Sequence, residues 1–294
     1  MAFTRNQKKG TGMKTKLTAL IILSAAFVQA GFVTIGGTGI AADTNGYGGV
    51  NYTYGISQYE VTGAEFATAA AADSRVGTYT ANTANSPAEN VSWYEAAMYC
   101  NWLTSGSAYS GAYLFDGSGN YLGVNRASAI STYGIVYALP TVDEWYKAAY
   151  WTGNVSDPWS LYANGTDTLP IWGTTAGWNY YNGSQYAYDG TTWEVGYGAQ
   201  EQNGTYDMMG NVWEWTETYH SQSERVLRGG SAEFEQGMDS GASYLWNTAS
   251  DSQPFLGFRV VMIPEPSTIL LFGLGGIGAW LLRRNRMKSR EDTE

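Results

Sequence analysis

The 294-residue chain contains a single cysteine, Cys100, and a single histidine, His220. One cysteine excludes an intrachain disulfide and any site that needs two thiols from the same chain. One histidine excludes a metal centre built from several imidazoles. Basic residues are also scarce where they would matter. Of the 16 Lys and Arg, five precede Gly31 and five follow Leu282, leaving only Arg75, Arg126, Lys147, Arg225, Arg228 and Arg259 between them. Residues 31–263 hold these six and 22 of the 26 acids, so their net charge is near -16 although the whole chain is -10. A body this acidic repels phosphate backbones, which excludes nucleic acid as a partner. It suits oxygen-ligated cations or solubility. What is abundant is aromatic: 12 Trp and 23 Tyr in a chain that is 44% hydrophobic. That is a globular composition, with enough residues for one large core.

The basic ends flank apolar runs. Lys14 and Lys16 precede Leu17–Val28, and Val28-Gln29-Ala30 offers a cleavage site. Residues 1–30 read as a secretory signal peptide cut after Ala30. Met13 offers a second start, since residues 1–12 add nothing that such a signal needs. At the other end, Pro264-Glu265-Pro266 precedes a mostly apolar run, Thr268–Leu282, closed by Arg283, Arg284 and Arg286. The run is shorter than the roughly 20 residues that span a bilayer comfortably. Its arginines belong on the cytoplasmic side, which puts the preceding domain outside. This tripartite tail, residues 263–290, resembles a PEP-CTERM sorting signal. The resemblance implies processing by an exosortase in a Gram-negative bacterium that makes extracellular polysaccharide. It also implies only transient membrane association through residues 268–282.

Residues 31–262 form the working domain. Three segments carry the same local pattern: Thr62-Gly-Ala-Glu65, Ser92-Trp-Tyr-Glu95 and Thr141-Val-Asp-Glu144. Each is a capping box, in which a hydroxyl accepts from the N3 amide and the N3 carboxylate accepts from the N-cap amide. Apolar residues follow each at helical spacing. The spacing predicts three short helices, near 62–72, 92–105 and 141–151. Arg225–Arg228 and Gly257–Val261 predict short strands. Residues 153–204, rich in Gly, Asn, Tyr and Trp, predict ordered loop, because so many aromatics are costly to leave exposed.

Six segments then recur in the order of one known family: Y-E-V-T (Tyr59–Thr62), V-S-W-Y-E-A-A-M-Y-C-N-W-L (Val91–Leu103), L-P-T-V-D-E-W-Y-K-A-A-Y (Leu139–Tyr150), Y-D-M-M-G-N-V-W-E-W (Tyr206–Trp215), L-R-G-G-S (Leu227–Ser231) and G-F-R-V (Gly257–Val260). The domain is similar to the formylglycine-generating enzyme, or sulfatase-modifying factor, family. The resemblance implies an α+β fold, a variant of the C-type-lectin fold with little regular secondary structure. It also implies a redox pair of cysteines that binds copper through soft thiolates, placed between the G-G-S and G-F-R motifs. This chain has no cysteine there. The two positions fall near Phe234 and Asp239, so neither copper nor oxidase chemistry is expected. Cys100, on a predicted helix with Ala96 and Leu103, reads as a small buried apolar residue. Iron-dependent relatives need histidines that this chain lacks. Ser231 follows two glycines without a G-x-S-x-G elbow, and His220 reads as a solvated loop residue.

The family's matching motif also implies a calcium site in Asp207-Met-Met-Gly210-Asn211-Val212-Trp213-Glu214. Its ligands would be side-chain oxygens of Asp207 and Glu214 and the carbonyls of Gly210 and Val212. A second site, drawing on Asn164 or Asn179 with Asp189, is not selected by the spacing. The interval Ala232–Leu256, where the family places its groove, is the expected ligand surface. Its candidate residues are Glu233, Glu235, Asp239, Tyr244 and Trp246. Three functions stay open: a non-catalytic module binding extracellular polysaccharide or a surface protein, an enzyme of altered chemistry, and a structural matrix component.

Overall fold

In the computed structural model, which describes residues 31–265 except 234–240 and 242, all three capping boxes form. Thr62 caps α1 (Gly63–Ala72), Ser92 caps α2 (Trp93–Ser105) and, further along, Thr141 caps a helix over Val142–Tyr150. In each, the hydroxyl accepts from the N3 amide while the glutamate accepts from the cap amide. The sequence predicts three helices; the described residues contain four. The extra one, α3 (Arg126–Tyr133), lacks a capping box and buries only Ala129, so it has little periodic apolar signal. Asn125 caps it by accepting from Ser128, and Gly134 ends it. The helix over Val142–Tyr150 is therefore α4.

The strands are short. A four-stranded sheet orders β1 (Phe32–Ile35), β2 (Tyr54–Ser57), β10 (Val261–Pro264) and β5 (Ile135–Ala138). A second orders β8 (Leu245–Thr248), β7 (Glu224–Arg228), β6 (Trp213–Tyr219) and β9 (Leu256–Gly257), and β3 (Tyr113–Phe115) pairs with β4 (Tyr121–Val124). The expected strand over Gly257–Val261 is divided. Gly257 pairs in parallel with Glu214, whereas Val261 pairs with Ile56 and Ala138 in the other sheet. Phe258–Val260 bridge the two sheets because each residue is drawn to a different partner. Phe258 packs against Phe66 and Tyr99. Arg259 turns to Glu214. The Val260 carbonyl accepts from Ser57.

The core is aromatic, as the loop composition predicts. Trp93, Trp145, Trp213 and Trp215 are fully buried, and Trp178, Trp193 and Tyr180 from the long loop are buried with them. Indole N–H groups find partners inside: Trp93 donates to the Thr216 carbonyl and Trp215 to that of Val91. The helix layer is locked by Arg126, which bonds Glu144 at 2.9 Å and Glu217 at 3.0 Å. Cys100 is buried on α2, and burial pushes its thiol well above the usual range. Among the described residues, no helix is long and apolar enough to cross a membrane.

Ser92→Ala should remove the shared hydroxyl of the α2 capping box and cost about 1 kcal/mol in urea unfolding. An unchanged midpoint would show that the cap adds nothing to the folded domain.

Candidate functional site

The segment read as a calcium motif turns sharply between the long loop and β6. Asp207 and Asn211 both have φ of 60°, and Gly210 has φ of 88°. Gly210 is needed there: a Cβ would lie 2.1 Å from the Asn179 carbonyl oxygen. The Gly210 amide donates to the Gly229 carbonyl, tying this turn to the L-R-G-G-S segment. Met208 and Met209 fill the core beneath.

The turn gathers four buried carboxylates around one guanidinium. Glu60, from the Y-E-V-T segment, accepts from the Asn211 side chain at 2.9 Å and from the Val212 amide at 3.3 Å. Glu201 accepts from Trp178, Thr205 and the Met208 amide. Asp207 accepts from the Gly196 amide at 2.7 Å. Glu214 meets Arg259 through both oxygens, with contacts of 2.6–2.9 Å, and also accepts from Trp145 at 2.7 Å. Burial is the main cause of the shifted acidities. It pushes Glu201 up to about 8 and Asp207 up to about 6, against the pull of Arg259 and, for Asp207, of the Gly196 amide. Burial lifts Glu60 well above the carboxylate range, with Asp207 and Glu214 adding repulsion.

Of the oxygens read from the sequence as a calcium set, those of Glu214 and one of Asp207 already accept hydrogen bonds within the protein. Four donor contacts use the lone pairs of Glu214. Asp207 accepts from the Gly196 amide through Oδ2. Asn179 donates its side-chain amide to Asn211 and to the Thr191 carbonyl, leaving its buried Oδ1 without a donor, while Asn164 accepts from its own turn at Thr166. The residues that organise the turn, Glu60, Glu201, Asn211 and Arg259, include three that lie in recurring motifs. Buried charges of opposite sign in Y-E-V-T and G-F-R-V were the signal that could have exposed them.

The expected ligand surface is partly visible. Tyr244 is half-buried and Trp246 is 46% exposed, their ring centroids 6.1 Å apart. His220 stacks on Trp246 with centroids 4.1 Å apart and planes 9° from parallel. His220 is thus exposed, as expected, but belongs to an aromatic rim. Glu233 is exposed, its amide donating to the buried Ser231 hydroxyl. Phe234, Glu235 and Asp239 lie outside the described residues. In the tail, Pro264 pairs with Ile135 and the Glu265 amide donates to the Gly134 carbonyl. Pro266, the apolar run and the arginines lie outside the described residues.

The fold is also found in solved structures. The crystal structure of CarF is 22% identical, covering 79% of this chain and 97% of its own, with a TM-score of 0.57. Treponema denticola variable protein 1 is 23% identical, covering 79% and 95%, with a TM-score of 0.58. These likenesses show a shared fold. Residues 23–263 match the sulfatase-modifying factor enzyme 1-like domain, and the chain belongs to that family. Residues 263–286 match the PEP-CTERM protein-sorting motif. That motif implies recognition by exosortase-type sorting machinery and export to the envelope of a Gram-negative bacterium. No curated protein matches the chain.

Glu201 makes the acid cluster pH-sensitive. The folded protein keeps this proton up to about pH 8, whereas the unfolded chain releases it near ~4.3. The folded state binds more protons in between, so the stability from this group is full below that range and is lost as pH rises toward 8. The slope is about 1.4 kcal/mol per pH unit within the window. Glu201→Gln, with the Thr205 hydroxyl turned to accept, should flatten the fall in unfolding free energy between about pH 5 and pH 8. A variant that falls as steeply as the natural protein would remove Glu201 from this role.

Proposed function

We propose that this exported protein is a non-catalytic binding module of the sulfatase-modifying factor fold. It is held at the cell surface or in its polysaccharide matrix, and it takes sugar on the rim formed by His220, Tyr244 and Trp246. The observation that carries this reading is the exception in the tryptophan population. Among the described residues Trp246 is the one exposed tryptophan, at 46%, while the others are buried or half-buried. An indole left on the surface with two flanking rings is an interaction anchor, because Trp and Tyr supply large rigid faces at low entropic cost. Trp246 on β8 and Tyr244 just before it lie within the interval where the resemblance implies a groove, and His220 joins them from the β6–β7 turn.

The thiol inventory supports the non-catalytic part. The sole cysteine is buried on α2, so the chain has no pair of thiolates to hold copper. Ser231 is buried and its hydroxyl accepts from Glu233. His220 is stacked on Trp246, an arrangement that favours binding over a serine–histidine relay.

Full-length protein should co-sediment with extracellular polysaccharide isolated from a Gram-negative producer. Trp246→Ala should weaken that retention about tenfold while leaving the melting temperature nearly unchanged, since the indole is half in solvent. Undiminished retention by the variant would rule out the rim as the binding surface.

A further inference from the structure

Cations in this domain are few, and most are neutralised. Arg75 pairs with Asp73, Arg126 with Glu144 and Glu217, and Arg259 with Glu214. Lys147 donates to the carbonyls of Gly37 and Val50. Among the described residues, Arg225 and Arg228, both on β7, form no ion pair. Their positions three apart on a strand put them on opposite faces. Arg225 is stacked 4.1 Å from the Trp93 centroid and 3.4 Å from that of Tyr219.

Arg228 is different. It is fully buried, and its Nη1 donates to the carbonyls of Gly241 and Ser243 at 3.1 and 2.7 Å. Rings of Tyr47, Tyr146 and Tyr244 surround the guanidinium at 4.4, 5.3 and 5.6 Å. Nε and Nη2 have no acceptor. These two nitrogens form one edge of the guanidinium, the edge that takes a carboxylate through two parallel bonds. Asp43 accepts from the Tyr146 hydroxyl, and Glu214, the cross-strand partner of Arg228 on β6, is paired with Arg259; neither forms an ion pair with Arg228. Burial pulls the Arg228 guanidinium below its ordinary range, as expected for a cation without a counter-ion.

We propose that Arg228 is the anchor for a carboxylate-bearing sugar, a hexuronate unit of an extracellular polysaccharide, whose ring lies on the Trp246–Tyr244 rim. The proposal rests on the binding-module reading and specifies its ligand. Trp246, Tyr244 and Arg228 form a path from solvent to the buried charge, in steps of 6.1 and 5.6 Å. Tyr244 covers the guanidinium and swings aside to admit the ligand. Two charge-assisted hydrogen bonds then fill the vacant edge, and the tyrosine faces keep water out. The acidic domain repels a polymer charged at every unit, so the preferred ligand carries uronates spaced by neutral sugars. At physiological ionic strength that repulsion is screened beyond ~8 Å.

The test uses full-length protein and a polymer of alternating uronate and neutral sugar, hyaluronan oligosaccharides, beside the same oligosaccharides with the carboxylates reduced to alcohols. Reduction should weaken binding about tenfold. Arg228→Gln should abolish the difference between the two forms, Arg228→Lys should restore only part of it, and Arg225→Gln should leave it intact. Trp246→Ala should weaken both forms alike. Equal binding of native and reduced oligosaccharides would overturn the anchor, whether or not the Arg228 variants fold. If that equal binding remained sensitive to Trp246→Ala, the sugar-binding rim would survive without it. Failure of both forms to bind would also overturn the anchor, and retention of a neutral glucan in the same assay would then leave the rim reading standing.

Discussion

The buried ion pair between Arg259 and Glu214 is the interaction on which the rest of the architecture depends. Its closest contact is 2.6 Å, and both side chains are inaccessible to solvent. It joins β6 of one sheet to the bend that carries the chain into β10 of the other. The guanidinium also donates to the carbonyls of Ser57, Gln58 and Tyr206, and Glu214 accepts the indole N–H of Trp145 from α4. Two sheets, one helix and the entry to the motif turn therefore meet at a single pair. Removing one partner from such a pair costs ~3–5 kcal/mol, because the other charge is left buried and alone.

One guanidinium cannot balance the acids around it. Glu60, Glu201 and Asp207 stay buried only because amides, indoles and hydroxyls donate to them, and because burial keeps protons on them at higher pH. The cluster holds the G-N-V-W-E turn in place. Directly across from Glu214 on β7 the scarcity of opposite charge is inverted: Arg228 sits among tyrosines without an ion-pair partner. The fold's core thus gathers acids at one turn and holds an uncompensated positive charge beside the rim.

How much of this was legible in the sequence depends on range. Capping boxes are contained within four residues, and all three helices start where they predict. Helix α3 had no such signal, only Asn125, Gly134 and one buried alanine. The division of Gly257–Val261 into two strands was invisible, since it is set by Glu214, 45 residues away, and by the pairing of Val261 with Ile56 and Ala138. The oxygen-bearing residues of the motif turn were identified, but their direction was not. Glu214 points to Arg259, a partner no spacing rule selects, and Glu60 reaches Asn211 across 151 residues. The rim was legible in part: Tyr244 and Trp246 come together as candidates, whereas the stacking of His220 required the β6–β7 hairpin to bring it across.

The central claim is that this scaffold binds a polymer at its rim in place of its family's thiol chemistry. The most direct measurement is an array of neutral and acidic extracellular polysaccharides probed with full-length protein. Retention by at least one polymer, displaced by soluble oligosaccharide of the same composition, is the predicted result. A flat array, with protein that is folded by its melting transition, would contradict the account.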